Sequence, residues 1–132
     1  NFENINKMII DRNLKDRVVL TGIVNNTNEF YSSFDLFVLP SRWEGLPVVG
    51  LEAQANGLYS VMSNNIDKNV NIINKVDFLN IDNIDKWVEV ISFIINSKKN
   101  ISREQDTALF DINGINIEIE ADKLEKIYLG KE

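Results

Sequence analysis

The sequence predicts an α/β domain: an open parallel β-sheet with helices on both faces, running into a wholly helical C-terminal part. Three observations carry this prediction. Short apolar runs rich in β-branched residues, "RVVLTG" and "DLFVLP", stop at Gly22 and Pro40, as buried strands do. Stretches with apolar residues at helical spacing stand between such runs. Strands that alternate with helices pair in parallel through crossover connections, and such sheets bind ligands beyond the carboxyl ends of their strands.

Taken in order, "NFENINKMIIDRNLKD" sets Phe2, Ile5, Met8, Ile9 and Ile10 on one side of a first helix. "RVVLTG" is the first strand. "NNTNEFYSSF" follows as a short helix, with Asn26 or Thr27 as its cap. "DLFVLP" is the second strand. After a loop, a helix runs from about Pro47 to Asn56 and is closed by Gly57. "LYSVMS" and "VDFLNI" make a third and a fourth strand. "NIDKWVEVISFIINSKK" is a helix capped by Asp82 or Asn83, with Ile84, Trp87, Val88, Ile91, Phe93, Ile94 and Ile95 as its apolar set. "ISREQDTALFDINGI" reads as a short helix and a turn at Asn113-Gly114. The terminal helix, "INIEIEADKLEKIYLGKE", turns Ile117, Ala121, Leu124 and Leu129 inward. These helical apolar positions are read as core rather than as a partner-binding surface. A doubly wound domain normally opens on a strand, whereas this chain opens on a helix. The expectation is that a first strand–helix unit of the domain precedes it.

Composition narrows the function. A chain of 132 residues is one domain at most, burying roughly two-thirds of its extended surface. It has no Cys and no His, so disulfides, thiolate metal sites and the commonest general base are all excluded. A net charge of -6 argues against nucleic acid or an anionic membrane as partner. No apolar run is long enough for a membrane span, and the first residues lack signal-peptide order. The expected location is cytoplasmic. Association with the inner face of a membrane is expected only through another part of the protein.

The chemistry concentrates in "PSRWEGLPVVGLEAQANG", residues 40–57. A loop leaves a strand end and enters a helix whose first amides lack partners, a ready seat for phosphate. Pro47 suits the first helical position and cannot donate, which leaves Leu46, Val48 and Val49 as amide donors. Gly45 permits a tight or left-handed turn, and Gly50 costs about 1 kcal/mol against Ala unless something approaches closely. Glu44 and Glu52 stand eight positions apart, about 12 Å if wholly helical. Carboxylates accept from hydroxyl pairs and repel phosphate. An acid–amide–acid order therefore matches a ligand with hydroxyls at both ends and phosphates between, such as a nucleoside-diphosphate sugar. An acid in an arbitrary loop is more often a solvated charge, and spacing alone leaves the two readings level. Glu52, in the apolar stretch "VVGLEAQA", is harder to dismiss.

At these residues the sequence resembles the retaining glycosyltransferases of family 4, also called glycosyl transferases group 1, of the GT-B fold. Their signature is two glutamates separated by seven residues, inside a phrase that here reads "PSRWEGLPVVGLEAQANG". "VVLTGIVNNTNEFYSSFDLFVLPS" and "DINGINIEIEADKLEKIYL" are similar to flanking segments of bacterial exopolysaccharide and capsule transferases. The resemblance implies that residues 1–132 are part of a Rossmann-like, nucleotide-sugar-binding C-terminal domain. The acceptor domain and the first strand–helix unit, with its Arg and Lys for the diphosphate, would lie outside this chain. It implies further that Glu44, in the catalytic position, hydrogen-bonds the donor sugar near its anomeric carbon. Gly45, Leu46, Pro47, Val48 and Val49 would line the sugar and distal phosphate, Glu52 would hold the ribose, and Val24 would meet the nucleobase. The donor is expected to be a UDP-sugar and the reaction to need no metal. The missing acceptor domain is the expected partner, and the chain by itself is expected not to turn over. Tyr59 and Asn69 depart from the family's frequent Pro and acid, which puts the loop's contacts in question rather than the fold.

Two rival readings are weaker. A non-catalytic nucleotide-binding or interaction fragment of a degenerate transferase would have no reason to keep both acids. A dinucleotide-dependent oxidoreductase would need G-x-G-x-x-G after a strand, and the sequence has none.

Overall fold

The apolar runs that end at Pro40 and after Met62, together with "VDFLNI", come together as three parallel strands in a computed structural model that describes residues 2–97, 103 and 107–130. The strands are β1 (Phe37–Leu39), β2 (Ser60–Ser63) and β3 (Val76–Leu79), in the order β1-β2-β3. Phe37 pairs with Ser60, and Ser60 with Val76. The central strand β2 is buried along its whole length, as a parallel strand covered on both faces should be. Around the sheet lie α1 (Phe2–Asp11), α2 (Thr27–Ser33), α3 (Val48–Ala55), α4 (Ile84–Asn96), α5 (Thr107–Ile112) and α6 (Ile117–Leu129). The α/β class is as predicted. No helix among the described residues is long and apolar enough to cross a membrane. The predicted helical residues 98–99 and 131–132, and most of 101–106, lie outside the described residues.

Four strands were expected and three form. In the "RVVLTG" stretch the turn after α1 captures the beginning: the Arg17 and Val18 amides donate to Leu14 O at 3.0 and 2.9 Å. Val19 is 83% exposed, and among the described residues no strand runs beside it. A β-branched run without a neighbour has no ladder to join. The helix faces assigned to the core are likewise mostly uncovered. Ile9 is the buried residue of α1, Trp87 that of α4, and α6 has none. Helical periodicity identified the apolar stripes correctly, but burial depends on a second surface being present. Trp87 is held because its Nε1–H donates to Asn80 O at 2.9 Å.

Among the described helices, α3 buries the most residues: Gly50, Leu51, Ala53 and Gln54. Gly50 explains its close seat: a Cβ there would come within 2.8 Å of Met62 Cε and 3.2 Å of Val70 Cγ2. A neighbouring element, not a ligand, accounts for this mid-helix glycine. Leu51, Met62, Ile66, Val70, Ile72 and Ile73 form the main core, and Tyr31, Ala53 and Leu58 a second cluster that meets Phe37. Gln54 is wholly buried in α3. Its Nε2 donates to Gly50 O at 3.0 Å and to Val70 O at 2.6 Å. Its Oε1 accepts from the amides of Ile72 and Ile73 at 3.0 and 3.3 Å. One side chain thus ties α3 to the chain before β3. The helix closes as predicted, with Gly57 at φ +72°. The Gly57 and Leu58 amides donate to Gln54 O and Ala53 O, the paired bonds of a Schellman ending.

Candidate functional site

The chain leaves β1 at Pro40 and reaches α3 through the motif loop. Glu44 makes an isolated parallel bridge with Ile66, which pins the loop beside the turn after β2. Pro47 sits one position earlier than predicted. It is the N-cap of α3, with φ -74° and ψ 114°, and the helix starts at Val48. The ring fixes φ but leaves ψ free, so proline fits an extended cap as readily as a first turn. Its carbonyl accepts from the Gly50 and Leu51 amides at 3.0 and 3.3 Å. Proline carries no side-chain acceptor to close the cap. Among the described residues the Val48 and Val49 amides therefore find no protein partner. Both residues are exposed, as is Leu46, while Pro47 itself is buried. The result is an open helix start carrying partial positive charge.

Gly45 departs from expectation. Its φ is not positive, and a Cβ added there meets nothing within 4 Å. Neither backbone conformation nor packing within the chain requires glycine at this position. Beside it, Glu44 is exposed and accepts from Ser41 Oγ at 3.0 Å.

Glu52 lies about one turn into α3 and is half-buried. Its Oε2 accepts from Tyr31 Oη at 3.1 Å, and among the described residues its Oε1 takes no protein donor. Glu52, Thr27, Asn28, Tyr31, Ala55 and Asn56 line a cavity of about 140 Å³ between α2 and α3. The structure therefore brings Glu52 to the start of α2. It does not place Glu44 in that cavity, nor Val24, which is half-buried in the loop leading to α2. The two acids stand four residues to either side of Val48, Glu44 exposed and Glu52 half-buried, and do not share that cavity.

Tyr31 was missed from sequence, where nothing singled it out within the short helix of "NNTNEFYSSF". Only its contact with an acid 21 residues away reveals it. Burial, then the hydrogen bond to Glu52, then that carboxylate's charge push the Tyr31 phenol up to about 12. A phenol whose folded value exceeds its ordinary value of 10 adds stability that is intact below pH 10 and lost as pH rises toward 12. Denaturant melts from pH 9 to 12 are expected to show this loss, and Tyr31→Phe is expected to flatten that part of the profile.

Comparison with known proteins agrees with the motif. The family model for glycosyl transferases group 1 matches residues 3–97. The chain is 32% identical over 121 residues to the UDP-Gal:alpha-D-GlcNAc-diphosphoundecaprenol alpha-1,3-galactosyltransferase of Escherichia coli, covering 90% of this chain and 31% of that protein. It is 33% identical over 124 residues to the capsular polysaccharide biosynthesis glycosyltransferase CapH of Staphylococcus aureus, covering 92% and 33%. Identity is 38% over 58 residues to the lipopolysaccharide core biosynthesis mannosyltransferase LpsB of Rhizobium meliloti (strain 1021), covering 43% and 16%. The chain thus spans about a third of the length of the first two relatives. No solved structure gives a significant match. With the family model matching well over half of its length and the acid pair flanking an open helix start, this chain belongs to the glycosyl transferases group 1 family.

Proposed function

We propose that this chain is the donor-binding part of a retaining transferase that moves a sugar from a nucleotide-sugar donor to an acceptor hydroxyl in bacterial polysaccharide assembly. One observation carries the reading. Among the described residues the start of α3 offers uncommitted amides at Val48 and Val49, with Glu44 four residues before Val48 in sequence and Glu52 four after. The amides suit the diphosphate. Glu52 takes the ribose hydroxyls, and Glu44 takes hydroxyls of the donor sugar near its anomeric carbon. Leu46 and Pro47 line the turn between them, and Val24 meets the base. The donor is a UDP-sugar, a reading supported by the Escherichia coli relative, whose name specifies UDP-Gal. The relatives' names differ in the sugar they specify, galactose against mannose, so sugar identity is not carried over.

Departure of the nucleoside diphosphate needs developing negative charge stabilised, and amides fixed at a helix start do so without reorganising. Glu44 serves as a hydrogen-bonding group in this scheme, and the substitution is a front-side one. Acceptor binding, and the cations that would complete neutralisation of the diphosphate, belong to further parts of a longer protein. The 132-residue chain by itself binds donor weakly and transfers nothing.

Gly45 provides the test. Nothing among the described residues crowds its missing Cβ, so Gly45→Ala is expected to leave the thermal midpoint within about 2 °C. If a donor sugar passes over that backbone, the same change weakens binding of UDP-sugar while sparing UDP, as read by NMR titration. Equal affinity of wild type and variant for both ligands counts against the placement.

A further inference from the structure

We propose that Tyr31 is a positioning residue for ribose recognition, holding one oxygen of Glu52 so that the other faces the cavity between α2 and α3. The inference rests on the reading of Glu52 as the ribose ligand and adds to it the group that aims it. Tyr31 is only 6% exposed. Its ring is set by edge contacts with Phe37 at 5.9 Å and Phe34 at 6.2 Å between centroids. A ring held on two sides cannot swing away, so its hydroxyl is a fixed donor. That donor meets Glu52 Oε2 at 3.1 Å.

The consequence for Glu52 is directional. A glutamate on a helix surface has three side-chain torsions to fix before it can hold a diol. Anchoring Oε2 removes most of that freedom before ligand arrives, which is how a supporting group improves a site. Oε1 keeps its acceptor capacity, and the cavity it shares with Thr27 and Asn28 opens where the loop carrying Val24 joins α2. The same helices also approach at Ser32, whose Oγ donates to Asn28 O at 2.8 Å and lies 3.3 Å from Asn56 Oδ1. The frame around the carboxylate is thus built from α2, β1 and α3 jointly.

Paired titrations of the 132-residue chain with UDP and 2′,3′-dideoxy-UDP, followed by NMR, test this for wild type, Tyr31→Phe and Glu52→Gln. Wild type is expected to prefer ribose by at least about tenfold, the size of one charge-assisted hydrogen bond. Tyr31→Phe keeps the ring and the dideoxy affinity but reduces the preference by about fivefold, since the carboxylate is present but no longer aimed. Glu52→Gln reduces it too. If Glu52→Gln alters the preference and Tyr31→Phe does not, Tyr31 only packs and this inference falls while the Glu52 reading stands. If neither alters it, or wild type shows no preference or no binding, the Glu52 reading falls and takes this one with it. A ligand-free arm checks the contact itself by following the Tyr31 ring-carbon shift against pH. Glu52→Ala should lower the pH of phenol ionisation; an unchanged curve means the hydrogen bond is not formed in solution and overturns the proposal.

Discussion

Replacing Gln54 by Leu is expected to destabilise the domain by about 3 kcal/mol, although the two side chains are close in size. Leucine fills the space but accepts and donates nothing. The amides of Ile72 and Ile73 and the carbonyl of Val70 would then lose their bonds to this side chain. All three residues are buried, Val70 completely. The Ile73 amide is left without a partner, at about 1–3 kcal/mol, while the Ile72 amide and Val70 O keep only their own 3.0 Å bond to each other and lose the rest of their bonding. In a chain of this length the net loss corresponds to roughly 10 °C in thermal midpoint. Urea melts of wild type and Gln54→Leu measure it directly. A loss under about 1 kcal/mol would mean that the 70–73 segment finds other partners.

The second large effect concerns ligand rather than stability. Glu52→Ala is expected to weaken UDP binding by about 30-fold, the equivalent of roughly 2 kcal/mol for a carboxylate accepting from two hydroxyls. Part of that loss comes from Glu52 itself and part from Tyr31, whose hydroxyl would be left without its acceptor. Removing a negative charge near the diphosphate acts in the opposite direction, favouring the anion. The hydroxyl bonds are short-range and the repulsion is screened, so the loss wins. Glu125→Ala, an exposed change on α6, is the charge-matched control and should leave affinity unchanged. Isothermal titration or NMR line shapes provide the numbers. Tighter binding in Glu52→Ala would show that charge outweighs hydroxyl recognition here.

Much of the fold could be read from residues alone, and the gaps have physical causes. β1, β2 and β3 announced themselves as apolar runs, and α3 through its proline and its closing glycine at Gly57. The stripes on α1, α4 and α6 were also correctly recognised as apolar, yet Phe2, Ile5, Val88, Phe93, Ile117 and Leu124 remain exposed. Periodicity reports which side is apolar; it carries no information on whether anything covers it. The "RVVLTG" run failed as a strand for the same reason, its neighbour not being among the described residues.

In the candidate site, Glu44 and Glu52 could be picked out by the motif that carries the family resemblance, since spacing alone left them level with solvated charges. Gln54 and Tyr31 could not. Gln54 sat unremarked inside "LEAQA", and its significance lies in bonds to residues 16 to 19 positions away. Tyr31 depends on a contact between two helices. Such pairings come from tertiary geometry, which neither spacing nor composition encodes. The two acids also differ in depth, Glu44 exposed and Glu52 half-buried, as an interval that is partly loop allows.

The central claim is that one donor lies across the start of α3, ribose toward Glu52 and sugar toward Glu44. Backbone amide shifts of the labelled chain, titrated in turn with uridine, UDP and a UDP-sugar, test it most directly. A stepwise map is expected: uridine moves Val24, Tyr31 and Glu52, the diphosphate adds Val48 and Val49, and the sugar adds Glu44, Gly45 and Leu46. Shifts from all three ligands confined to one of these groups, or scattered away from the start of α3, would contradict it.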